Sequence, residues 1–134
     1  MAERSRTAAG LLRSEWPALA WAALIFWLSS RSRPLPVEVH VPHLDKVLHA
    51  GAYGVLAALA ARGLLALGWT ARRTLGIALV AASLYGVTDE LHQAFVPGRD
   101  ADPLDWAADT AGAVAGAALV VGLPRRKSRA SIRG

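Results

Sequence analysis

Residues 85–116 read YGVTDELHQAFVPGRDADPLDWAADTAGAVAG, and this stretch decides how the rest of the chain folds. It begins and ends in apolar segments that are typical of membrane-spanning helices. Pro97 and Gly98 end the first of these helices and separate it from the second. Acidic side chains beside hydrocarbon are unfavourable unless they are paired or hydrated. The stretch nevertheless carries Asp89, Glu90 and four further aspartates. We therefore expect the functional site here.

The composition favours a small membrane protein. The chain has 134 residues, of which 54% are hydrophobic, and its mean hydropathy is +0.32. The formal net charge is +5, but the basic residues lie at the ends and in one loop without aromatic residues between them, which argues against nucleic acid as a partner. The chain contains no cysteine, so disulfide and thiolate chemistry are excluded.

Apolar segments predict an all-α fold, a polytopic membrane protein built as a four-transmembrane-helix bundle. The predicted spans are residues 16–30, 47–69, 74–95 and 106–123. The first has fifteen uncharged residues, fewer than the about 20 that a span needs. Its bulky tryptophans and the lack of a small-residue cleavage site indicate a retained helix and not a signal peptide. A soluble helical protein with buried hairpins is the alternative.

Charged residues set the expected domain limits and orientation. Residues 15–123 are predicted to form the membrane domain, with polar tails at 1–14 and 124–134 and a proline-rich loop at 31–44. Eleven of the fifteen Lys and Arg residues fall in the two tails and in the segment 62–73. The positive-inside rule then places both termini in the cytoplasm. Eight of the ten acidic residues and all four histidines lie at or near the opposite, outer side.

Three groups of residues resemble the VanZ-like family. They are Asp45-Lys46-Val47-Leu48-His49 with Tyr53; Tyr85, Asp89, Glu90 and Gln93 with Phe95-Val96-Pro97-Gly98-Arg99; and Asp105, Asp109, Thr110 and Gly112. The resemblance covers about residues 16–123 and implies a small multi-pass protein of the bacterial cytoplasmic membrane. The founding member of that family is linked to resistance against a lipid-bearing glycopeptide antibiotic. One position departs from the pattern, because the family usually has asparagine where this chain has Asp109.

Asp45, His49, Asp89 and Glu90 are the candidate catalytic residues. Asp45 and His49 are four residues apart and share a helix face, so the carboxylate is expected to orient the imidazole as a general base. A helix-capping acid beside a hydrogen-bonded histidine is the structural alternative. Asp89 and Glu90 cannot both stay ionised at membrane depth without compensation, which favours an acid–base pair. Their structural alternative is ion pairing with Lys46 or Arg99.

The predicted substrate-binding residues surround these four. They are Lys46, Tyr53, Tyr85, Gln93, Arg99, Asp105 and Asp109. Arg99 presents a planar fork of donors matched to phosphate or carboxylate, so we expect it to clamp an anion. The polar clusters fall at the same end of their helices and are expected to converge near the outer leaflet. Gly112 and Gly116 have the small-x-x-x-small spacing that predicts a close helix approach.

The expected partner is a membrane lipid or a lipid-linked amphiphile with an anionic or sugar headgroup, bound on the extracytoplasmic side. If the protein is an enzyme, hydrolysis or transfer at that headgroup is the expected reaction, with His49 or Glu90 as general base. The alternatives are a non-catalytic factor that sequesters the antibiotic and a small proton-coupled transporter. No cofactor is expected. Oxygen ligands with one histidine leave a divalent cation as the alternative, although no metal motif with fixed spacing occurs.

Overall fold

The chain folds into four α-helices in a computed structural model that describes residues 7–32 and 41–123. They are α1 (Ala8–Ser29), α2 (Leu44–Ala66), α3 (Ala71–Gln93) and α4 (Pro103–Gly122). No strand occurs in the described residues, which confirms the predicted all-α class. The predicted tail at 124–134 and most of the proline-rich loop lie outside the described residues.

Capping residues explain where the helices begin. Thr7 caps α1 by accepting a hydrogen bond from the backbone amide of Gly10, and Asp102 caps α4 with Pro103 in its first turn. The helices begin before the predicted spans, because apolarity does not register these polar caps. The largest difference is in α1, which starts at Ala8 and so includes part of the segment 1–14.

Helices α2 and α4 run parallel, with their backbones almost touching. A Cβ built on Gly112 would meet the backbone of Ala50, and one built on Gly116 would meet the backbone of Gly54. The two contacts are one helical turn apart, so the helices stay in register along this stretch. The close approach predicted from the glycine spacing is confirmed. It also places the first turns of α2 and α4 side by side.

Helix α3 runs antiparallel to α4 and is joined to it by polar contacts at mid-height. The hydroxyls of Ser83 and Thr110 lie 2.9 Å apart, and the Trp106 indole donates to the carbonyl oxygen of Ser83 at 3.1 Å. The last turns of α3 therefore lie beside the first turns of α4.

Helix α1 lies along α2 in the opposite direction. Near its start, the Ser14 hydroxyl donates to the carbonyl oxygen of Gly63 at 2.8 Å. Further along, the Trp21 indole donates to the carbonyl oxygen of Ala52 at 2.9 Å. The helix therefore runs lengthwise beside the bundle and does not lie across its end.

Small side chains fill the core, and large apolar side chains cover the surface. The core consists mainly of alanines: Ala57, Ala61, Ala78, Ala82, Ala113 and Ala117. Leu84, Leu91 and Leu119 are more than half exposed, which is unusual in a soluble protein when many such residues share a surface. Helices α2, α3 and α4 are each long and apolar enough to cross a membrane. The protein is therefore a multi-pass membrane protein.

Candidate functional site

The candidate site lies at the polar end of the bundle, which we define as the first turns of α2 and α4, the last turns of α3 and the α3–α4 loop. Three contacts join the helices there: Lys46 to Asp105, His49 to Asp109, and Glu90 to the backbone of Asp102. The predicted convergence of the three polar clusters is thus confirmed. It follows from the parallel packing of α2 on α4 and the short return from α3 to α4.

Lys46 forms ion pairs with acidic side chains at the polar end. Its ammonium contacts Asp45 at 2.9 Å and both Asp102 and Asp105 at 2.5 Å. The ammonium beside Asp102 holds the pKa of that carboxyl below its ordinary value. Lys46 therefore pairs with three acids, and the predicted alternative in which it pairs with Asp89 or Glu90 is not observed.

His49 sits at the centre of the polar end between two carboxylates. Its Nδ1 lies 2.8 Å from Asp109 Oδ1, and its Nε2 lies 3.6 Å from Asp105 Oδ2. Asp109 is fully buried, with a relative exposure of 0%. An ionised carboxylate only accepts hydrogen bonds, so Nδ1 carries a proton when Asp109 is charged, and in the neutral imidazole Nε2 then keeps its lone pair. Asp109 therefore fixes the ring and, in its neutral form, the tautomer.

The prediction that Asp45 orients His49 was wrong. The Asp45 side chain is 60% exposed and contacts Lys46. The i, i+4 spacing places both residues on one face of α2, but α4 packs so closely on that face that Asp109 reaches the imidazole first. Asp45 therefore contributes an exposed ion pair to Lys46 and does not contact His49.

Asp89 and Glu90 are both buried but serve different contacts. Glu90 Oε2 accepts a hydrogen bond from the backbone amide of Asp102 at 2.8 Å. Asp89 Oδ2 accepts from the Gln93 amide at 3.3 Å, and Arg99 donates to Gln93 Oε1 at 2.6 Å. Arg99 thus contacts an amide and forms no ion pair with either acid. The two carboxylates, predicted to form an acid–base pair, have different partners and share none. Neighbouring residues of a helix point about 100° apart, which directs the two side chains to different groups.

The two tyrosines lie below the polar residues. Tyr53 is 1% exposed, and its ring packs 6.1 Å from that of Tyr85, centroid to centroid. The Tyr85 hydroxyl donates to the carbonyl oxygen of Ala22 at 2.7 Å. This bond ties α3 to α1 and directs the hydroxyl away from the polar end, so the structure gives Tyr85 a helix-packing contact where we predicted substrate binding.

Two residues that make contacts at the polar end were not among the site residues predicted from the sequence. Asp102 caps α4, pairs with Lys46 and holds Glu90 through its backbone amide. The Asp-Pro pair at the start of α4 is a cap signal that would have found it. His92 contacts the Ser30 hydroxyl at 2.9 Å and stacks on Phe26, with ring centroids 4.6 Å apart. No local pattern indicates that contact with α1.

Several polar atoms at this end are buried without a hydrogen-bond partner in the part of the chain that is described. They are Tyr53 OH, Asp89 Oδ1, Glu90 Oε1 and Asp109 Oδ2. A ring nitrogen of His49 and carboxylate oxygens of Glu90 and Asp105 also lie within 4.8 Å of one another. Three of the four are carboxylate oxygens, and buried carboxylate oxygens in this number are unusual in a structural contact. The arrangement is suited to proton transfer and to binding a cation.

Comparison with known proteins agrees with this architecture. The family model described as VanZ/LLP1 matches residues 9–124, which include the whole polar end and all four helices except the first residue of α1. No curated protein and no solved structure matches the chain. Because the family match extends over most of its length, the chain belongs to the VanZ/LLP1 family.

Proposed function

We propose that this protein acts on the headgroup of a membrane amphiphile at its polar end. The headgroup is anionic or a sugar, and the reaction class is hydrolysis or transfer. The observation that carries the proposal is the contact between His49 and the fully buried Asp109, 2.8 Å apart, at the end of a membrane-embedded bundle. Such a pair is the base-and-orienter half of many hydrolytic sites.

The chemistry of the pair assigns a role to each ring nitrogen. With the Nδ1 proton donated to Asp109, His49 Nε2 can take a proton from a water or from a headgroup hydroxyl. Glu90 lies close to the same imidazole and has one carboxylate oxygen without a hydrogen-bond partner among the described residues. In this proposal Glu90 relays that proton to the departing group.

Arg99 supplies the positive charge for an anionic headgroup. Lys46 is already shared among three carboxylates, whereas the described side-chain contact of Arg99 is a single bond to Gln93. A guanidinium has five donors in a planar fork that fits phosphate or carboxylate. The donors not used by Gln93 make Arg99 the anion clamp.

The proposed orientation places the polar end on the extracytoplasmic face of the bacterial cytoplasmic membrane, with α1 as a fourth span. Arg13 and Glu15 make the first half of α1 less apolar than the other helices. Its lengthwise, antiparallel packing on α2 supports a crossing. With α1 as a span, both termini lie on the side opposite the polar end, which agrees with the orientation that the positive-inside rule predicts from the distribution of Lys and Arg.

The test is turnover of a bacterial lipid extract by the purified protein in vesicles, followed by mass spectrometry of lipids and released headgroups. The unmodified protein should deplete one lipid class. His49→Gln should lower that rate by roughly 10²–10⁴, the usual contribution of a general base. Arg72→Lys, at an exposed position on the opposite end of the bundle, serves as the control and should keep the rate. Equal rates for His49→Gln and the control would contradict the catalytic role, and a lipid bound but unchanged in mass would indicate sequestration.

A further inference from the structure

Three side chains from three helices converge on one point of the polar end. A ring nitrogen of His49 and one carboxylate oxygen each of Glu90 and Asp105 all lie within 4.8 Å of one another. His49 belongs to α2, Glu90 to α3 and Asp105 to α4. Packing of the helices creates this cluster, and no motif with a fixed spacing announces it in the sequence.

Each of the three side chains has one polar atom held by a neighbouring group. The three anchors are His49 Nδ1 to Asp109 at 2.8 Å, Glu90 Oε2 to the Asp102 amide at 2.8 Å, and Asp105 Oδ1 to Lys46 at 2.5 Å. The remaining atoms are His49 Nε2, Glu90 Oε1 and Asp105 Oδ2. Anchoring of this kind holds the three side chains in place and leaves these atoms available as ligands.

The three remaining atoms are all acceptors when His49 carries its proton on Nδ1. His49 Nε2 and Asp105 Oδ2 lie 3.6 Å apart. Glu90 is 7% exposed, and its Oε1 is buried without a hydrogen-bond partner in the described chain. Burying an unpaired carboxylate oxygen is unfavourable, and facing it with two more acceptors is more so. One cation among the three atoms would satisfy all of them.

We propose that His49 Nε2, Glu90 Oε1 and Asp105 Oδ2 bind a divalent transition-metal ion of the Zn²⁺ type. An imidazole with two carboxylates suits Zn²⁺ better than Ca²⁺ or Mg²⁺, which prefer oxygen ligands alone. Nitrogen and oxygen ligands lie about 2.0–2.2 Å from zinc, which puts two of them roughly 3.3–3.6 Å apart in a tetrahedral site. The observed separation of 3.6 Å between His49 Nε2 and Asp105 Oδ2 fits that arrangement.

Asp109 supports this site by contacting the ring nitrogen of His49 that does not bind the metal. Metal-binding histidines usually donate their other ring N–H to a carboxylate, which fixes the ring and raises the basicity of the ligand nitrogen. The contact between Asp109 and His49 Nδ1 supplies this group. Three protein ligands leave a fourth position open, as in catalytic zinc sites. With an ion bound, His49 Nε2 and Glu90 Oε1 would be ligands and could not also accept and relay a proton, so the role of base would pass to a water in the fourth position. Only the identity of that fourth ligand, a water or a headgroup oxygen, rests on the proposed function.

The rival account is a protonated His49 that bridges Asp105 and Asp109 as an ion triad. A protonated imidazole has no lone pair, so this arrangement binds no metal. The test therefore measures metal directly. The purified protein in detergent is stripped with a chelator, incubated with Zn²⁺ and freed of excess ion, and its metal content and its thermal unfolding are recorded. Parallel samples receive Mn²⁺ or Mg²⁺.

The unmodified protein should hold about one Zn²⁺ per chain and unfold at a higher temperature with zinc than without it. Glu90→Gln keeps the shape and removes the ligand charge, and it should lower zinc affinity at least tenfold and abolish the thermal shift. His43→Asn is the matched control, because it removes an exposed histidine at a left-handed backbone position that asparagine tolerates. It should bind zinc normally.

Absence of both zinc and a thermal shift in the unmodified protein would overturn the metal site, as would equal affinity in Glu90→Gln. The thermal shift of the unmodified protein needs no variant, so a Glu90→Gln protein that fails to fold leaves the test intact. Zinc content is measured without any lipid. Failure of the lipid experiment with normal zinc binding would therefore reject the proposed function and keep the metal site.

Discussion

Asp109 combines full burial with a hydrogen bond to the central histidine. One oxygen lies 2.8 Å from His49 Nδ1, and the other has no hydrogen-bond partner among the described residues. Since the ionised carboxylate can only accept, the position needs an acceptor and not a donor. An asparagine, the residue that VanZ-like proteins usually have here, also offers an acceptor oxygen. The difference between aspartate and asparagine therefore leaves the geometry of the contact intact.

We predict that the free energy of unfolding of Asp109→Asn is within about 1 kcal/mol of that of the unmodified protein, because the accepted hydrogen bond is kept. Asp109→Ala should lose about 1–3 kcal/mol, since it leaves a buried N–H of His49 without a partner. Chemical unfolding in detergent, followed by circular dichroism, measures both. Equal losses in the two variants would show that the charge of Asp109, and not its acceptor, stabilises this end.

The α2–α4 pair is the element on which the site depends. Its backbones approach closely at Gly112 and Gly116, and Asp109 lies one turn before Gly112 on the same helix face. The distance from Asp109 to His49 is therefore set by glycine packing. Widening the helix pair would separate the carboxylate from the imidazole.

Gly112→Ala tests this packing against Gly51→Ala. A Cβ at Gly112 would overlap the backbone of Ala50, whereas a Cβ at Gly51 has nothing within 4 Å. Gly112→Ala should lower the free energy of unfolding by about 1–3 kcal/mol or more, because the added methyl overpacks the helix contact. Gly51→Ala should leave it unchanged or raise it by up to about 1 kcal/mol, because alanine has the higher helix propensity. Thermal unfolding of both proteins in one detergent provides the comparison. Equal stability would argue that the helices separate at little cost and that the close approach is not essential.

Elements could be predicted from this sequence better than side-chain partners. The apolar runs of α2, α3 and α4 and their shared polar end follow from hydropathy and charge. The partner of His49 does not, because the i, i+4 rule describes neighbours within α2 and says nothing of how closely α4 approaches. Arg99 illustrates the same limit: its charge predicts an acid as partner, yet the loop after α3 brings it to the Gln93 amide.

At the scale of the whole molecule, the sides on which the polar end and the termini lie depend on how many helices cross the membrane. The chain has no cysteine, so single cysteines are specific probes. With four spans, a cysteine at Ala101 should react with an impermeant thiol reagent in intact cells, while cysteines at Ala9 and Ala71 should react only after permeabilisation. If α1 lies on the surface, Ala9 is on the same side as Ala101 and its cysteine reacts in intact cells. Reaction at Ala71 with protection of Ala101 would invert the orientation.

The central claim is that the polar end holds the anionic headgroup of an amphiphile, and native mass spectrometry of the purified protein tests it most directly. The unmodified protein and Arg72→Lys, an exposed arginine at the opposite end of the bundle, should both carry a lipid of one mass class. Arg99→Lys keeps the charge but loses the planar fork, so it should lose most of that lipid while its melting temperature stays the same. Unchanged lipid in Arg99→Lys together with a lowered melting temperature would contradict the claim and leave Arg99 as a structural contact of the α3–α4 loop.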